Sequence, residues 1–348
     1  MNPALLSRAL TAALVALVTA LVTALVLAIF PARAQTALDK VSFGTNWVPE
    51  AEHGGFFQAV ADGTYRKYGL DVTIVPGGPN DNNRMLLIAG KLDFFMAANS
   101  LMSFDAVANN VPLVSVAAIF QKDPQVFLTH PEAKISKLDE LKPLTLFVSK
   151  EGISSYFQWL KSEYAFSAEK VRPYTFNPQP FIANKQSAMQ GYVTSEPFAV
   201  EKAAKFKPGI ILLADYGFNA YSTLIETRIE LIDKKPDLVQ RFVDASIIGW
   251  CNYLYGDNAP GNALIKKLNP EMSDELLAYA IGKMKEYGIV DSGDTLRDGI
   301  GAMGDDRAAS FFDKMVRAGV VRPDIDFRKS YTLRFVNKGV GLNLRPKN

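Results

Sequence analysis

"NWVPEAEHGGFFQAVADGTYRKYGLDV", residues 46–72, sits between two short apolar runs, Val41-Ser42-Phe43 before it and Leu70 to Val75 after it. The run between them has helical spacing, and Phe56 and Phe57 would anchor that helix in the core. A strand, a helix and a second strand in so short a span make a β-α-β unit, which argues for an α/β layer with mainly parallel strands. In open sheets of this kind, ligands bind beyond the carboxyl ends of the strands. Asn46, Trp47 and His53 follow the first strand, so they are the first residues to watch.

The alternation continues. Strands are expected at 41–43, 71–75, 94–96 and 113–120, with helices at 55–68, 83–89 and 100–109 between them. A second series follows, with strands at 125–129, 145–148, 171–175, 190–193 and 210–214 and helices at 154–164, 181–188 and 197–206. After "DYGFNAYSTLIETRIELI" the pattern changes to amphipathic helices at 236–255, 273–287 and 305–318. These changes predict a first lobe over 38–124, a second over 125–215, and a mostly helical return to the first over 216–348. Two segments, near 121–125 and 215–221, then cross between lobes and suit a clamshell closing on a ligand.

The residues after each strand form a consistent set. Asn99 and Ser100 open a helix after the third strand. Gly152 and Ser154 do so after the strand at 145–148. Thr194-Ser195-Glu196-Pro197 follows the strand at 190–193. Free N–H groups at helix starts are capped by such side chains or hold a ligand, and both readings stand for Ser100 and Ser154. Glu196 equally suits a helix start for its favourable dipole interaction. Trp47 reads as lobe packing or as a ring-stacking residue, and His53 as a core histidine or a cleft residue.

Composition removes several function classes. The 348 residues include 38 Lys and Arg, 36 Asp and Glu, two histidines and one cysteine, Cys251. Residues 1–34, with Arg8 near the start, a long apolar run and Ala32-Arg33-Ala34 at the end, read as a cleaved export signal. Retention as a membrane anchor is the alternative. Cleavage would remove Arg8 and Arg33, leaving 36 basic residues level with 36 acidic ones, so nucleic acid is not an expected partner. One cysteine allows no internal disulfide and no cysteine metal cluster, and no lipid-anchor cysteine follows the signal. No metal and no cofactor are expected. G-x-S-x-G and G-x-x-x-x-G-K-[ST] motifs are absent. "GIGAMG", residues 299–304, follows no strand and reads as a turn between helices rather than a dinucleotide loop.

Three stretches carry a family resemblance: "NWVPEAEHGGFFQAVADGTYRKYGLDVTIV" (46–75), "LLIAGKLDFFMAANS" (86–100) and "QGYVTSEPFAVEKA" (190–203). Together they resemble the solute-binding proteins of ABC importers, in the group that binds thiamine precursors and sulfonates. The resemblance implies a two-lobed periplasmic binding protein fold, a monomer, a small-molecule ligand and a permease partner in the inner membrane. It implies a heteroaromatic ligand such as formylaminopyrimidine or hydroxymethylpyrimidine, held by Asn46, Trp47, His53, Asn99, Ser100, Gly152, Ser154, Glu196 and Tyr221. In that group Glu196 matches the carboxylate expected to accept hydrogen bonds from the amino-pyrimidine. Phe57 and Tyr216, with Trp47 and Tyr221, are further candidates to stack on the ring. The alternative ligand is a sulfonate or nitrate-type anion. The group also includes the fungal hydroxymethylpyrimidine phosphate synthase, whose consumed histidine His53 resembles in position. This chain lacks that enzyme's cysteine-rich run, so an enzyme is not expected.

Overall fold

Two five-stranded sheets of the same design carry the molecule. The computed structural model describes residues 37–78, 82–175 and 177–346, so the expected export segment lies outside the described residues. The strands are β1 (Asp39–Gly44), β2 (Leu70–Val75), β3 (Phe94–Asn99), β4 (Leu113–Phe120), β5 (Gln125–Thr129), β6 (Thr145–Val148), β7 (Val171–Pro173), β8 (Ser187–Tyr192), β9 (Gly209–Leu212) and β10 (Ser222–Arg228). One sheet has the order β2-β1-β3-β10-β4 and the other β7-β6-β8-β5-β9. We call them lobe A and lobe B.

Each sheet is mixed rather than mainly parallel. In lobe A, β1 pairs parallel with β2 and β3, while β10 runs antiparallel between β3 and β4. In lobe B, β6 pairs parallel with β7 and β8, while β5 runs antiparallel between β8 and β9. The reason is the crossing. β5 enters lobe B directly from β4, and β10 enters lobe A directly from lobe B, so both point opposite to their parallel neighbours. The chain crosses through residues 121–124 and 213–221. Both incoming strands occupy interior positions, with their backbone groups paired on both sides.

The longer helices are α1 (Gly54–Ala61), α2 (Ser100–Ala108), α3 (Tyr156–Tyr164), α4 (Glu196–Ala204), α5 (Pro236–Tyr255), α6 (Ala259–Leu268), α7 (Asp274–Glu286) and α8 (Asp305–Arg317). The helix expected over 55–68 is broken at Asp62-Gly63, where Gly63 takes a left-handed conformation (φ 76°). The helix expected over 181–188 is a short turn, Gln179–Ala183, and its last residues belong to β8. Strand β10 and helix α6 have no counterpart in the sequence reading. None of the described helices is long and apolar enough to cross a membrane.

Helix α5 is the centre of lobe A. Phe242, Trp250 and Tyr253 on it are fully buried, and Phe242 stacks on Phe94 with ring centroids 4.0 Å apart. Phe56 packs against Phe43 at 4.6 Å, which holds α1 on the sheet. Gly54 and Gly55 let α1 approach α5. A Cβ on Gly54 would lie 2.0 Å from the Tyr253 ring, and one on Gly55 would lie 2.2 Å from Trp250. The glycines therefore serve helix packing. A second buried cluster joins Phe127, Tyr156 and Trp159 of lobe B to Phe104 of α2 and to Phe311, Phe312 and Met315 of α8.

Candidate functional site

The loop that leaves β1 meets the loop that leaves β8, and the end of β3 meets the first crossing segment, through Glu52–Thr194 and Asn99–Asp123 hydrogen bonds. The loop after β1 is pinned at several points. Thr45 Oγ1 donates to Trp47 O (2.8 Å) and accepts from Gly77 N (3.0 Å). Asn83 Nδ2 donates to Thr45 O (3.0 Å), and Asn269 Nδ2 donates to Pro49 O (2.9 Å). This fixed loop delivers Glu50 and the turn Ala51–His53 to the edge of lobe B, where Glu52 meets Thr194.

Glu52 is 4 % exposed and accepts a hydrogen bond from Thr194 Oγ1 of lobe B. That bond ties the two lobes together. Two residues further along, Glu196 begins α4. Its carboxylate turns back onto the end of β8, accepting from Tyr192 N (2.7 Å) and Ser195 Oγ (2.6 Å). Gly191 makes room for this: a Cβ there would come 2.6 Å from the Cβ of Glu196. A second interlobe contact pairs Phe198 of α4 with Tyr279 of α7 at 5.4 Å between ring centroids.

Glu50, Glu52 and Glu196 form one electrostatic group. Burial raises the pKa of each, well above the ordinary value for Glu50. Glu52 and Glu196 add like charge at Glu50, and Glu196 does so at Glu52. The bonds to Glu196 from Ser195 and Tyr192 oppose the rise, as does that from Thr194 to Glu52. Asp123, in the first crossing segment, is pushed up to about 6 by burial, against the pull of hydrogen bonds from Gln125 N and the Asn99 amide. All four carboxyls act on the Tyr192 phenol, which burial and their charges hold in its protonated form. None of the ion pairs among the described residues includes any of the four. A desolvated carboxylate without a cation must be protonated or must accept hydrogen bonds.

The residues singled out from the sequence fall into three places. Asn46 and Trp47 lie on the pinned loop, partly exposed, and Asn46 Oδ1 is buried without a hydrogen-bond partner. His53 follows Glu52, is 1 % exposed, and its Nδ1 also lacks a partner. Burial lowers its pKa to about 3, so the imidazole is neutral at any physiological pH. Asn99, Ser100 and Tyr221 meet at the crossing segments. Asn99 caps α2 through Leu101 N (3.1 Å) and reaches Asp123 at 3.3 Å, and Ser100 N donates to Tyr221 O (3.0 Å). The Tyr221 hydroxyl donates to Asp294 and accepts from Gly304 N.

Gly152 and Ser154 lie in lobe B on the short helix Lys150–Ser154, which Ser149, not Ser154, caps. Gly152 leaves space for Tyr156 Oη and Gln190 Oε1, which a Cβ would meet at 2.6 and 2.8 Å. Ser154 is exposed and bonds back to the carbonyls of Lys150 and Glu151, at the end of its helix rather than the start. Phe57 is fully buried in the core, so it offers no face to a ligand ring. Glu50, Glu52, Asp123, Tyr192 and Thr194 were not singled out as ligand residues. The signal for the first two was present, since they follow the first strand in the segment already suspected. No metal-holding group of three or more His, Cys, Asp or Glu occurs among the described residues.

The structure is similar to the periplasmic aliphatic sulphonate binding protein SsuA from Escherichia coli, with a TM-score of 0.63 at 13% identity over 84% of this chain and 91% of that one. That likeness shows the fold, two α/β lobes of the periplasmic binding protein type. In sequence, the chain is 23% identical over 227 residues to the riboflavin-binding protein RibY of Chloroflexus aurantiacus, covering 64% of each. It is 30% identical over 128 residues to the 4-amino-5-hydroxymethyl-2-methylpyrimidine phosphate synthase THI11 of Saccharomyces cerevisiae, covering 36% of this chain and 32% of that one. The matches thus span less than two thirds of either curated relative. Residues 50–256, which include Glu50, Glu52, the whole of lobe B and all of α5, match the model described as NMT1/THI5 like, and the chain belongs to that family.

Proposed function

We propose that the protein is the extracytoplasmic solute-binding component of an ABC importer. It takes a small heteroaromatic ligand such as formylaminopyrimidine or hydroxymethylpyrimidine, hands it to a membrane permease and performs no chemistry on it. The observation that carries this reading is the set of four carboxyls, Glu50, Glu52, Asp123 and Glu196, whose charges all act on the Tyr192 phenol and which take part in no ion pair among the described residues. Such a lining asks its ligand for N–H donors or positive charge. An amino-pyrimidine edge supplies them, and each charge-assisted bond to it is short and directional. The same lining opposes a sulfonate or nitrate, because an anion brought among desolvated carboxylates meets like charge at low dielectric. Tyr192 and Trp47 supply aromatic faces on the same segments, and the Glu196 charge acts on the phenol of Tyr174.

The expected export segment at 1–34 supports delivery to the periplasm, and action as a monomer follows from the same binding-protein reading. His53 suits this non-catalytic role, since burial keeps its ring neutral and 1 % exposed. The test is a thermal-shift screen of aminopyrimidines, flavins, polyamines and sulfonates on the mature protein, followed by calorimetry on each hit. A ligand that binds only the folded state raises the melting temperature. Aminopyrimidines are expected to raise it and alkanesulfonates to leave it unchanged. A rise with sulfonates alone would sink this reading.

A further inference from the structure

Helix α8 touches both crossing segments. Its Arg307 donates from Nε to Asn219 O (3.2 Å) and from Nη2 to Ala220 O (3.3 Å), both on the second crossing segment. The same Nη2 donates to the carbonyl of Gln121 on the first, while Nη1 reaches Gln121 Oε1 at 3.3 Å. The guanidinium carbon sits 4.0 Å over the ring of Tyr221. Gln121 is itself held, with its amide donating to Ala302 O (2.9 Å) and its backbone N–H to Ile289 O (2.7 Å). One planar side chain therefore fixes the spacing of two strands that run in opposite directions.

Further along, α8 grips the second crossing segment again. Lys314 Nζ donates to Gly217 O, and Phe311 meets Phe218 edge to face at 5.5 Å. Beyond these grips, the segments join each other by the Lys122–Asp215 ion pair at 3.0 Å, partly exposed on both sides. Gly217 has φ 107°, a conformation that a side chain would strain. The stretches that Arg307 and Lys314 do not bond are residues 122–124 on one segment and 213–216 on the other, and each is tied to a lobe instead: Lys122 N donates to Ile289 O (3.1 Å), Val193 N to Pro124 O (2.9 Å) and Tyr164 Oη to Tyr216 O (2.6 Å).

We infer that Arg307 is the positioning residue of the hinge, coupling the two crossing segments so that the lobes turn about residues 122–124 and 213–216 as a single axis. A guanidinium suits this task because its planar fork holds several acceptors at once, which a lysine ammonium does not reproduce. The inference rests on the two-lobed binding-protein reading for its purpose, but not on any ligand.

The experiment therefore uses the ligand-free protein. Cysteines replace the exposed Lys91 of lobe A and Lys185 of lobe B, and spin labels on them report the interlobe distance distribution. Cys251 stays unlabelled because it is 2 % exposed and burial pushes its thiol up to about 12. The unsubstituted hinge is expected to give one narrow distribution. Arg307→Ala is expected to at least double its width, and Arg307→Lys to broaden it nearly as much. Arg84→Ala serves as the comparison: it removes a guanidinium bonded to Glu226 (3.1 Å) and Met102 O (2.7 Å) inside lobe A. It is expected to lower the melting temperature and leave the distribution narrow. A narrow distribution in folded Arg307→Ala, or equal broadening in Arg84→Ala, overturns the inference. If Arg307→Ala does not fold, a narrow distribution in Arg307→Lys overturns it and a broad one upholds it. Because no ligand enters the measurement, its failure leaves the ligand screen standing, and the reverse holds too.

Discussion

Glu50 and Glu196 show how the meaning of a side chain depends on what is brought to it. As a residue of the sequence Glu50 carries no role of its own, and Glu196 reads as a helix-start acid or as a ligand-binding carboxylate. In the fold they are two of the carboxyls that share one desolvated space, and each holds its proton more tightly for that reason. For Glu50 the sign follows directly. Its folded pKa lies above the ordinary 4.5, so the penalty of the charged form is absent below that pH and grows as pH rises through the folded value. Glu50→Gln is therefore expected to raise the melting temperature of the ligand-free protein by ~2 °C at pH 8 and to change it little at pH 4. Scanning calorimetry at the two pH values checks this, and an equal shift at both would remove the like-charge account. For Glu196 the readout is affinity. Glu196→Gln is expected to weaken binding of the best ligand by about 1.5–3 kcal/mol, as for a hydrogen bond to a charged group. Titration calorimetry showing unchanged affinity would take Glu196 out of the site.

At the scale of elements, the strand tips were legible and several of their contents were not. Strands β4, β5 and β6 occupy the residues that their apolar runs predict. β10 was hidden because "STLIETR" carries Glu226 and Arg228, which argue against an interior strand. The fold accommodates them with partners: Glu226 is fully buried against Arg84, with Ser103 donating to it at 3.1 Å. Arg228 reaches Leu87 O at 3.0 Å. Helix α6 was hidden by Pro260 and Gly261 near its start. Gly261 is needed there because Gln58 of α1 occupies the space, and its N–H donates to Gln58 Oε1 (2.9 Å). Glu52 could be located but not weighed, since its partner Thr194 arrives from the other lobe. The glycine pair 54–55, in the segment after the first strand, acts as a packing surface. Gly55→Ala would drive a methyl into Trp250, and overpacking of this kind costs about 1–3 kcal/mol. Chemical denaturation should show that loss with an unchanged m-value. A neutral result would mean that α1 and α5 separate freely.

The whole molecule combines two lobes with one chain of dependence. The buried cluster of lobe B extends into α8, and α8 holds both crossing segments. We expect one cooperative thermal transition, with calorimetric and van't Hoff enthalpies equal, rather than one step per lobe. Two resolved transitions would show that the lobes are independent folding units. The clamshell plan and the pair of crossings are readable from the order of apolar runs. The mixed strand directions follow from the crossings, but only once it is known that each incoming strand inserts into a sheet's interior.

That insertion has a consequence for biogenesis. Between β3 and β4 lies a slot that only β10 fills, so the first sheet cannot be completed until Arg228 has been synthesised, more than a hundred residues after β4 ends. A nascent chain halted before that point holds two unpaired edges beside Phe94 and Phe120. The order of assembly is thus the reverse of the order of synthesis, with lobe B able to form its sheet first and lobe A waiting for its missing middle.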